Sequence, residues 1–585
     1  MFTRIIGRRG TKPFLICALS FTVPLAVGQT PATPEADSHP KPASAAPASN
    51  SEIEQLRQMI LEQQRQINEL KRATAPQKSN ASTVGAKPDV FTPPTTSRGI
   101  GQVASTAPIL PPLPAVTTLG TPLPVPQAAP NATGSAQNPC EADVDRTVPT
   151  FLRLGSVCIV PIGFMDFTPF WRDKNAGSSM GSNFGGVPFN NVANGNLSEF
   201  HFSQQNSRIG FRIDGDWKGT HFIGYNEFDF NGTSGSTSLA VSNGAIVPRL
   251  RLYWVDARKG KVEFLAGQSW SMMTPNRNGL SALPGDLFYT QVIDINYVAG
   301  LTWTRQPGLR VLYHPTKKVT FGFSVEQPDQ YIGGSAGGSG ITLPSALTGL
   351  ASTQLDAAAN ISGASYLGQP GFTPDLMAKL AFDFPRVHFE VGGIESNFKT
   401  VNTSAPFASH TTQGAGLLVG LNGAVTKNFR LMTSNFISDG EGRYIFGQAP
   451  DLIVRADGSL SAVHAKSTLD GFELKVHQNS LLLYGYYGGI YIGRNAAFDA
   501  NGTSRIGYGY SGAPNSQNRM INEATFGFNQ TMWSSPRYGG VNLMGQYEYL
   551  ERNPWFVAIG APKATHDSTI YFNIRYTLPG SMPNF

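Results

Sequence analysis

Charged residues are scarce in this 585-residue chain: Asp, Glu, Lys and Arg make up 14% of it, and the net charge is only +6. No basic helix or stacking platform accompanies that charge, so a nucleic-acid partner is not expected. Apolar runs of membrane-spanning length are also missing beyond the N-terminus, so any membrane crossing there needs strands closed into a barrel. What is abundant is glycine (63), Phe (36) and Tyr (19). Glycine and aromatic enrichment at low charge predicts a β-barrel.

Residues 1–28 have the pattern of a secretory signal peptide. Basic residues precede an apolar stretch at 14–27, which ends in the small-residue pattern of Ala26 and Gly28. A transmembrane anchor is the alternative, but the stretch is shorter than the roughly 18 to 20 apolar residues that a span needs. Ile16 precedes Cys17 where a lipoprotein signal carries a small residue, so no lipidation is expected. The expected location is the outer membrane, with the N-terminal part of the mature chain in the periplasm.

Cysteine is nearly absent, with three residues in the whole chain. Cys140 and Cys158 remain after removal of the signal peptide. In an oxidising compartment they can form a disulfide between the linker and the first strand. Two free buried thiols are the alternative interpretation.

Three segments of different texture follow the signal peptide. Residues 29–50 are rich in Pro, Ala and Ser and are expected to be disordered. Residues 51–72 predict a short α-helical coiled coil, because apolar residues recur at intervals of three and four. A solvated single helix is the alternative, but a narrow apolar stripe on a polar helix favours self-association. Residues 73–149 form a Pro-rich linker. The predicted coiled-coil seam consists of Ile53, Leu56, Ile60, Gln63, Ile67 and Leu70.

Residues 150–585 predict an all-β transmembrane barrel of about sixteen antiparallel strands. Alternating segments of roughly ten residues match the length of a tilted membrane strand. Seven short joins, such as those at 218–220 and 258–261, alternate with eight long connections. An even strand count returns both ends of the barrel to one side, and that side must be periplasmic if the linker lies there.

Single strands show two faces. In 318–327, Phe321 and Phe323 alternate with Thr320 and Ser324, which predicts one face toward lipid and one toward the lumen. The final strand repeats the pattern. A soluble β-sandwich is the alternative, but it would have to hold sixteen strands with regular short and long joins in one domain.

Several arginines fall on the predicted lumen face, and their planar guanidinium groups suit carboxylates or phosphates, which favours small anions as solutes. Tyr253 is predicted to lie on the same face as Arg249 and Arg251. Arg305 is predicted to alternate with Thr302 and Thr304 along its strand. The alternative is that these arginines only brace the wall by pairing with Asp214, Glu227, Asp229 and Glu263. The predicted lumen arginines on strands are Arg208, Arg212, Arg249, Arg251, Arg305 and Arg575.

The third long connection, 271–300, mixes apolar and polar residues. A fully solvated loop has little use for Met272, Met273 and Phe288, so we expect the connection to fold into the lumen and constrict it. Arg277 and Asp286 are its best-placed charges. An outer cap or a subunit contact is the alternative.

Five short segments carry a resemblance to a known family. They are 206–213, 248–254, 264–270, 305–310 and 573–579. Together they resemble the DcaP-like trimeric outer-membrane porins, over most of residues 51–579. The resemblance implies a trimer of sixteen-stranded barrels that admits small anions such as dicarboxylates, with the coiled coils joined on the periplasmic side. It also implies that the arginines at 208, 249, 251 and 305 line the pore.

The function expected from the sequence is passive diffusion of small hydrophilic solutes, without catalysis, cofactor or metal. Expected partners are outer-membrane lipid, further copies of the chain, small anionic solutes and the barrel assembly machinery. Envelope anchoring through the tether is one alternative. A barrel hydrolase is another, and His388 near Glu390 is its only candidate base in a strand beside a lumen carboxylate.

Overall fold

The computed structural model describes residues 151–232, 247–334, 338, 340–348, 354–355, 364–369, 371–476, 480–535 and 538–579. The signal peptide, the coiled-coil seam, the linker and Cys140 lie outside the described residues. Cys158 is disulfide-bonded, but its partner is also outside them, so the pairing with Cys140 stays a prediction.

Within these ranges, sixteen antiparallel strands form one closed wall. We number them β1 (Val157–Arg172), β2 (in two pieces, Glu199–Ser203 and Arg208–Trp217), β3 (Thr220–Gly232), β4 (Val247–Lys259), β5 (Val262–Trp270), β6 (Arg305–Thr316), β7 (Val319–Glu326), β8 (Asp375–Asp383), β9 (Val387–Asn402), β10 (Ser409–Ala424), β11 (Phe429–Asp439), β12 (His464–Val476), β13 (Leu481–Ile492), β14 (Asn518–Ser535), β15 (Gly539–Pro554) and β16 (Thr565–Thr577).

The wall closes because β1 pairs with β16, from Phe164 opposite Thr577 to Arg172 opposite Thr569. Closure leaves no free strand edge, which distinguishes this barrel from the sandwich alternative. The predicted count of sixteen strands is confirmed.

Several short elements lie beside the sixteen strands of the wall. Leu152–Leu154 pairs with the start of β1, and Tyr366–Gly368 pairs with the end of β9. Two hairpins lie in long connections, Leu452–Val454 with Leu460–Ala462 and Asn495–Phe498 with Arg505–Tyr508. Helical turns of the 3-10 type occupy Ala193–Asn196, Ser345–Leu347 and Gly442–Tyr444. No helix among the described residues has the length and apolar character to cross a membrane.

The seven predicted short joins all connect consecutive strands at one end of the barrel. The turn between β2 and β3 shows the chemistry: Lys218 and Gly219 have φ of 48° and 74°, the backbone that a tight two-residue hairpin needs. The longer connections lie at the other end. One connection at that end, 403–408 between β9 and β10, has only six residues. The expectation of eight long connections is therefore wrong for that one.

The wall has the predicted two faces. In β16, Ile570, Phe572 and Ile574 are about half exposed, whereas Tyr571 and Asn573 are fully buried. The period of two along a strand produces this separation, since successive side chains point to opposite sides.

One predicted orientation is wrong. Tyr253 does not share the lumen face with Arg249 and Arg251, because it is 63% exposed on the outside. Glu227 pairs with Leu252 but the next residue of β3 pairs with Leu250, which leaves Arg251 as the extra residue of a β-bulge. The bulge inverts the alternation from Leu252 onward.

Candidate pore and its inserted segment

Residues 271–304, between β5 and β6, run inside the barrel, and we call them the lumen segment. Met272, Leu287 and Tyr289 are almost completely buried there. Leu287 and Tyr289 pack in one cluster with Ile223 and Leu469 of the wall, and Met272 packs in another with Met377. The lumen segment extends the predicted connection by four residues, since β6 begins only at Arg305. Thr302 and Thr304 therefore belong to the segment and not to a strand alternating with Arg305.

The first part of the lumen segment, residues 274–288, is its tip, and wall carboxylates hold it. Both oxygens of Glu390 accept the Asn276 backbone N–H, at 3.1 and 3.2 Å. The Arg277 guanidinium donates to Glu473 at 2.6 and 3.1 Å. Asp383 accepts the backbone N–H of Gly279 at 3.1 Å. Each bond joins a loop donor to a carboxylate, the stronger kind of hydrogen bond, and those of Asn276 and Arg277 are buried.

After the tip, side chains of β15 and β14 hold the lumen segment. Gln546 accepts the backbone N–H of Ile293 at 2.6 Å, and Glu523 accepts that of Ala299 at 2.7 Å. Gly488 of β13 allows the close approach, because a Cβ there would overlap the Ala299 carbonyl oxygen. The lumen segment is therefore hydrogen-bonded to the wall at its tip, by β8, β9 and β12, and again after the tip, by β14 and β15.

The last part, residues 297–304, is the neck, and aromatic rings surround it. Trp303 stacks on Phe446 with ring centroids 4.3 Å apart, and Trp270 lies 5.4 Å from Trp303. The Trp303 backbone N–H also donates to the carbonyl of Tyr444 at 2.9 Å. Tyr297 and Phe446 have φ of 67° and 51°, a left-handed backbone that non-glycine residues adopt only where packing holds them. The neck is thus tied to the connection 440–463.

Predicted lumen arginines of β2 and β4 lie near one another and are paired. Arg251 bonds Glu227 and Asp229, both at 2.7 Å. Arg249 bonds Asp229 at 2.6 Å, and Arg208 lies 3.6 Å from Glu227. The alternative that these arginines brace the wall by pairing with carboxylates therefore holds in part, since all three share Glu227 and Asp229.

Arg305 differs from them. No residue within the described ranges accepts a hydrogen bond from its guanidinium group, and its Nη1 is buried without a hydrogen-bond partner. Its Cζ lies 5.6 Å from the Trp270 ring centroid, and Arg251 contacts the same ring at 5.4 Å. Arg305 is half-buried at the start of β6, so part of it contacts solvent.

The remaining predicted site residues lie apart from this group. Arg212 pairs with Asp214 at 2.7 Å, and Arg575 pairs with Asp166 at 2.7 Å across the closing seam of the barrel. Arg277 pairs with Glu473, while Asp286 contributes its backbone carbonyl to the Arg277 N–H at 2.7 Å. The sequence alone did not identify Asp383, Glu390 and Glu473 as the partners of the tip. The alternation of side chains along β12 could have placed Glu473 on the lumen face.

His388 lies in a buried network with two carboxylates. Its Nδ1 is 2.8 Å from Asp383 and its Nε2 is 3.3 Å from Glu390. Lys379 completes the network, 3.0 Å from Glu390. With both ring nitrogens engaged by carboxylates, the imidazole has no nitrogen left to activate a hydroxyl group.

The geometry defines a closed, sixteen-stranded antiparallel barrel with a connection folded into its lumen, the fold class of outer-membrane channels. The outer-membrane channel DcaP of Acinetobacter baumannii shares this fold, with a TM-score of 0.52 and 16% identity over 73% of this chain and 99% of that one.

Two further solved structures are more distant. An anion-selective porin from Comamonas acidovorans has a TM-score of 0.39 and 10% identity, over 72% of this chain and 99% of its own. OmpT of Vibrio cholerae has a TM-score of 0.36 and 8% identity, over 73% and 99%. No family model and no curated protein sequence matches the chain.

Proposed function

We propose that the protein is an outer-membrane porin through which small hydrophilic solutes diffuse passively, with a preference for anions such as dicarboxylates. The observation that carries the proposal is the division of the closed wall, whose outside is apolar and whose inside holds polar and charged side chains. A closed barrel satisfies the backbone hydrogen bonds of every strand, as a bilayer requires.

The end with the short turns faces the periplasm in this proposal. Val157 begins β1 and Thr577 ends β16 at that end, so the N-terminal part of the chain joins the barrel there. The predicted coiled coil at 51–72 then lies in the periplasm, after export through the signal peptide and folding by the barrel assembly machinery.

The subunits associate, and we propose a trimer. Asp470 is exposed on the outside of the wall midway along β12, and Asn435 is exposed on the adjacent β11. Charged groups facing lipid near the bilayer centre are costly, so a neighbouring subunit is a better environment for this face. Asp470→Lys should lower the fraction of oligomer in unheated electrophoresis, with Asp457→Lys in a solvent-exposed loop as the control. An unchanged oligomer would place the interface elsewhere.

The arginine group supports the anion preference. Four guanidinium groups face two carboxylates, so the group has an excess of two positive charges, and a positive lumen favours anions. The members of this group are Arg208, Arg249, Arg251, Arg305, Glu227 and Asp229. The lumen segment narrows the lumen beside it.

Conductance of the purified full-length protein in planar bilayers tests the proposal. A porin gives stepwise open-channel currents, and a salt gradient then yields the anion-to-cation permeability ratio. Arg251→Ala combined with Arg305→Ala should lower that ratio. Liposome swelling with mono- and dicarboxylates, sugars and amino acids identifies the preferred solute. Absence of current steps would contradict the porin function, and a ratio at or below one would contradict the anion preference.

A further inference from the structure

Three side chains that surround Trp270 carry buried polar atoms without a hydrogen-bond partner in the described structure. They are the Tyr289 hydroxyl group, the Trp303 indole Nε1 and Nη1 of Arg305. Most buried polar groups in proteins have a partner, and each exception calls for an explanation. Tyr289 is 0% exposed and Trp303 is 5% exposed, so bulk solvent does not reach these donors.

All three residues lie around the Trp270 ring. The ring centroids of Tyr289 and Trp303 lie 5.1 and 5.4 Å from that of Trp270, and the Arg305 Cζ lies 5.6 Å from it. Tyr289 directly follows the tip, Trp303 belongs to the neck and Arg305 begins β6, so the site exists only because the lumen segment folds into the barrel.

All three groups can donate, and none of the nearby carboxylates accepts from them. Glu227 and Asp229 are engaged by Arg208, Arg249 and Arg251. Arg305 and Arg249 are only half-buried, so solvent reaches part of each residue. A site with donors, surplus positive charge and aromatic rings is complementary to an anion that has oxygen acceptors and an apolar body.

We propose that Tyr289, Trp303 and Arg305 form a binding site for a small carboxylate against the Trp270 ring. The guanidinium group and the indole N–H would donate to the carboxylate oxygens, and the rings would contact the apolar part of the solute. The inference rests on the proposed porin function and deepens it, since it assigns a carboxylate subsite to the same lumen.

Propionate is the probe, added to the full-length channel conducting chloride in a planar bilayer. We expect wild-type current to fall with propionate in a saturable way. Trp303→Phe and Tyr289→Phe each remove one donor and keep the ring, and each should raise the half-blocking concentration about tenfold. Arg305→Gln should abolish saturation and lower the anion-to-cation ratio. Phosphate in place of propionate shows whether a tetrahedral anion binds equally.

The matched controls lie on the outside of the wall, where Trp533→Phe and Tyr253→Phe should leave the block unchanged. Heat-modifiable migration in electrophoresis verifies that every variant folds. If Trp303→Phe and Tyr289→Phe both block as wild type does, or if propionate never saturates while anion preference persists, the donors bind water and the site is refuted. If wild type has no anion preference, the proposed anion function fails instead.

Discussion

The tip and the neck of the lumen segment are held inside the barrel by different contacts, carboxylate hydrogen bonds at the tip and aromatic packing at the neck. At the tip, Arg277, Asn276 and Gly279 each have a wall carboxylate as partner. Around the neck, aromatic rings pack together, while Trp303 and Arg305 keep donors without partners. Matched charges fix the position of a loop, and unmatched donors are available to a solute.

The largest effect should follow from breaking the tip. Glu473→Ala leaves the Arg277 guanidinium buried without a counter-charge, which should lower the free energy of unfolding by about 3 to 5 kcal/mol. Denaturant unfolding of the protein in lipid, followed by tryptophan fluorescence, measures it. Lys563→Ala, an exposed position in the connection 555–564, is the control and should change stability by less than about 0.5 kcal/mol. Equal losses in both variants would show that the tip is not anchored by this pair.

A smaller effect should follow from displacing the neck. Gly488→Ala places a methyl group against the Ala299 carbonyl oxygen, so the segment must shift, at about 1 to 3 kcal/mol, and single-channel conductance should change. The adjacent Gly489→Ala is the matched control, since its Cβ would make only ordinary contacts, 3.4 Å from Thr468. The prediction fails if the two alanine variants conduct and unfold alike.

The smallest effect should be a pH dependence in the connection that holds the neck. Burial, together with the Asp451 carboxylate, raises the pKa of Glu441 well above its ordinary value. The folded state then retains a proton that the unfolded state loses, so stability declines as pH rises from the ordinary carboxyl range toward the raised pKa. Glu441→Gln should flatten this decline in melting temperature. An equally steep decline in the variant would assign it to another group.

Much of the wall could be predicted from the sequence. The alternation in 318–327 and 570–576 and the short turns at 218–220 and 258–261 depend on local backbone chemistry, so strand number and facing follow from them. Tyr253 shows the limit of this reasoning. A single bulge residue, Arg251, reverses the facing of the residues after it, and no local pattern in β4 announces the bulge.

The sequence by itself determined a closed barrel with an apolar outside, since a period of two and tight turns are properties of neighbouring residues. Only the tertiary structure decided which arginines are neutralised, because Arg277 meets Glu473 from 196 positions away while Arg305 meets no carboxylate among the described residues. Such pairings depend on the path of the lumen segment across the barrel. That path is set by packing between distant parts of the chain, which spacing along the sequence does not encode.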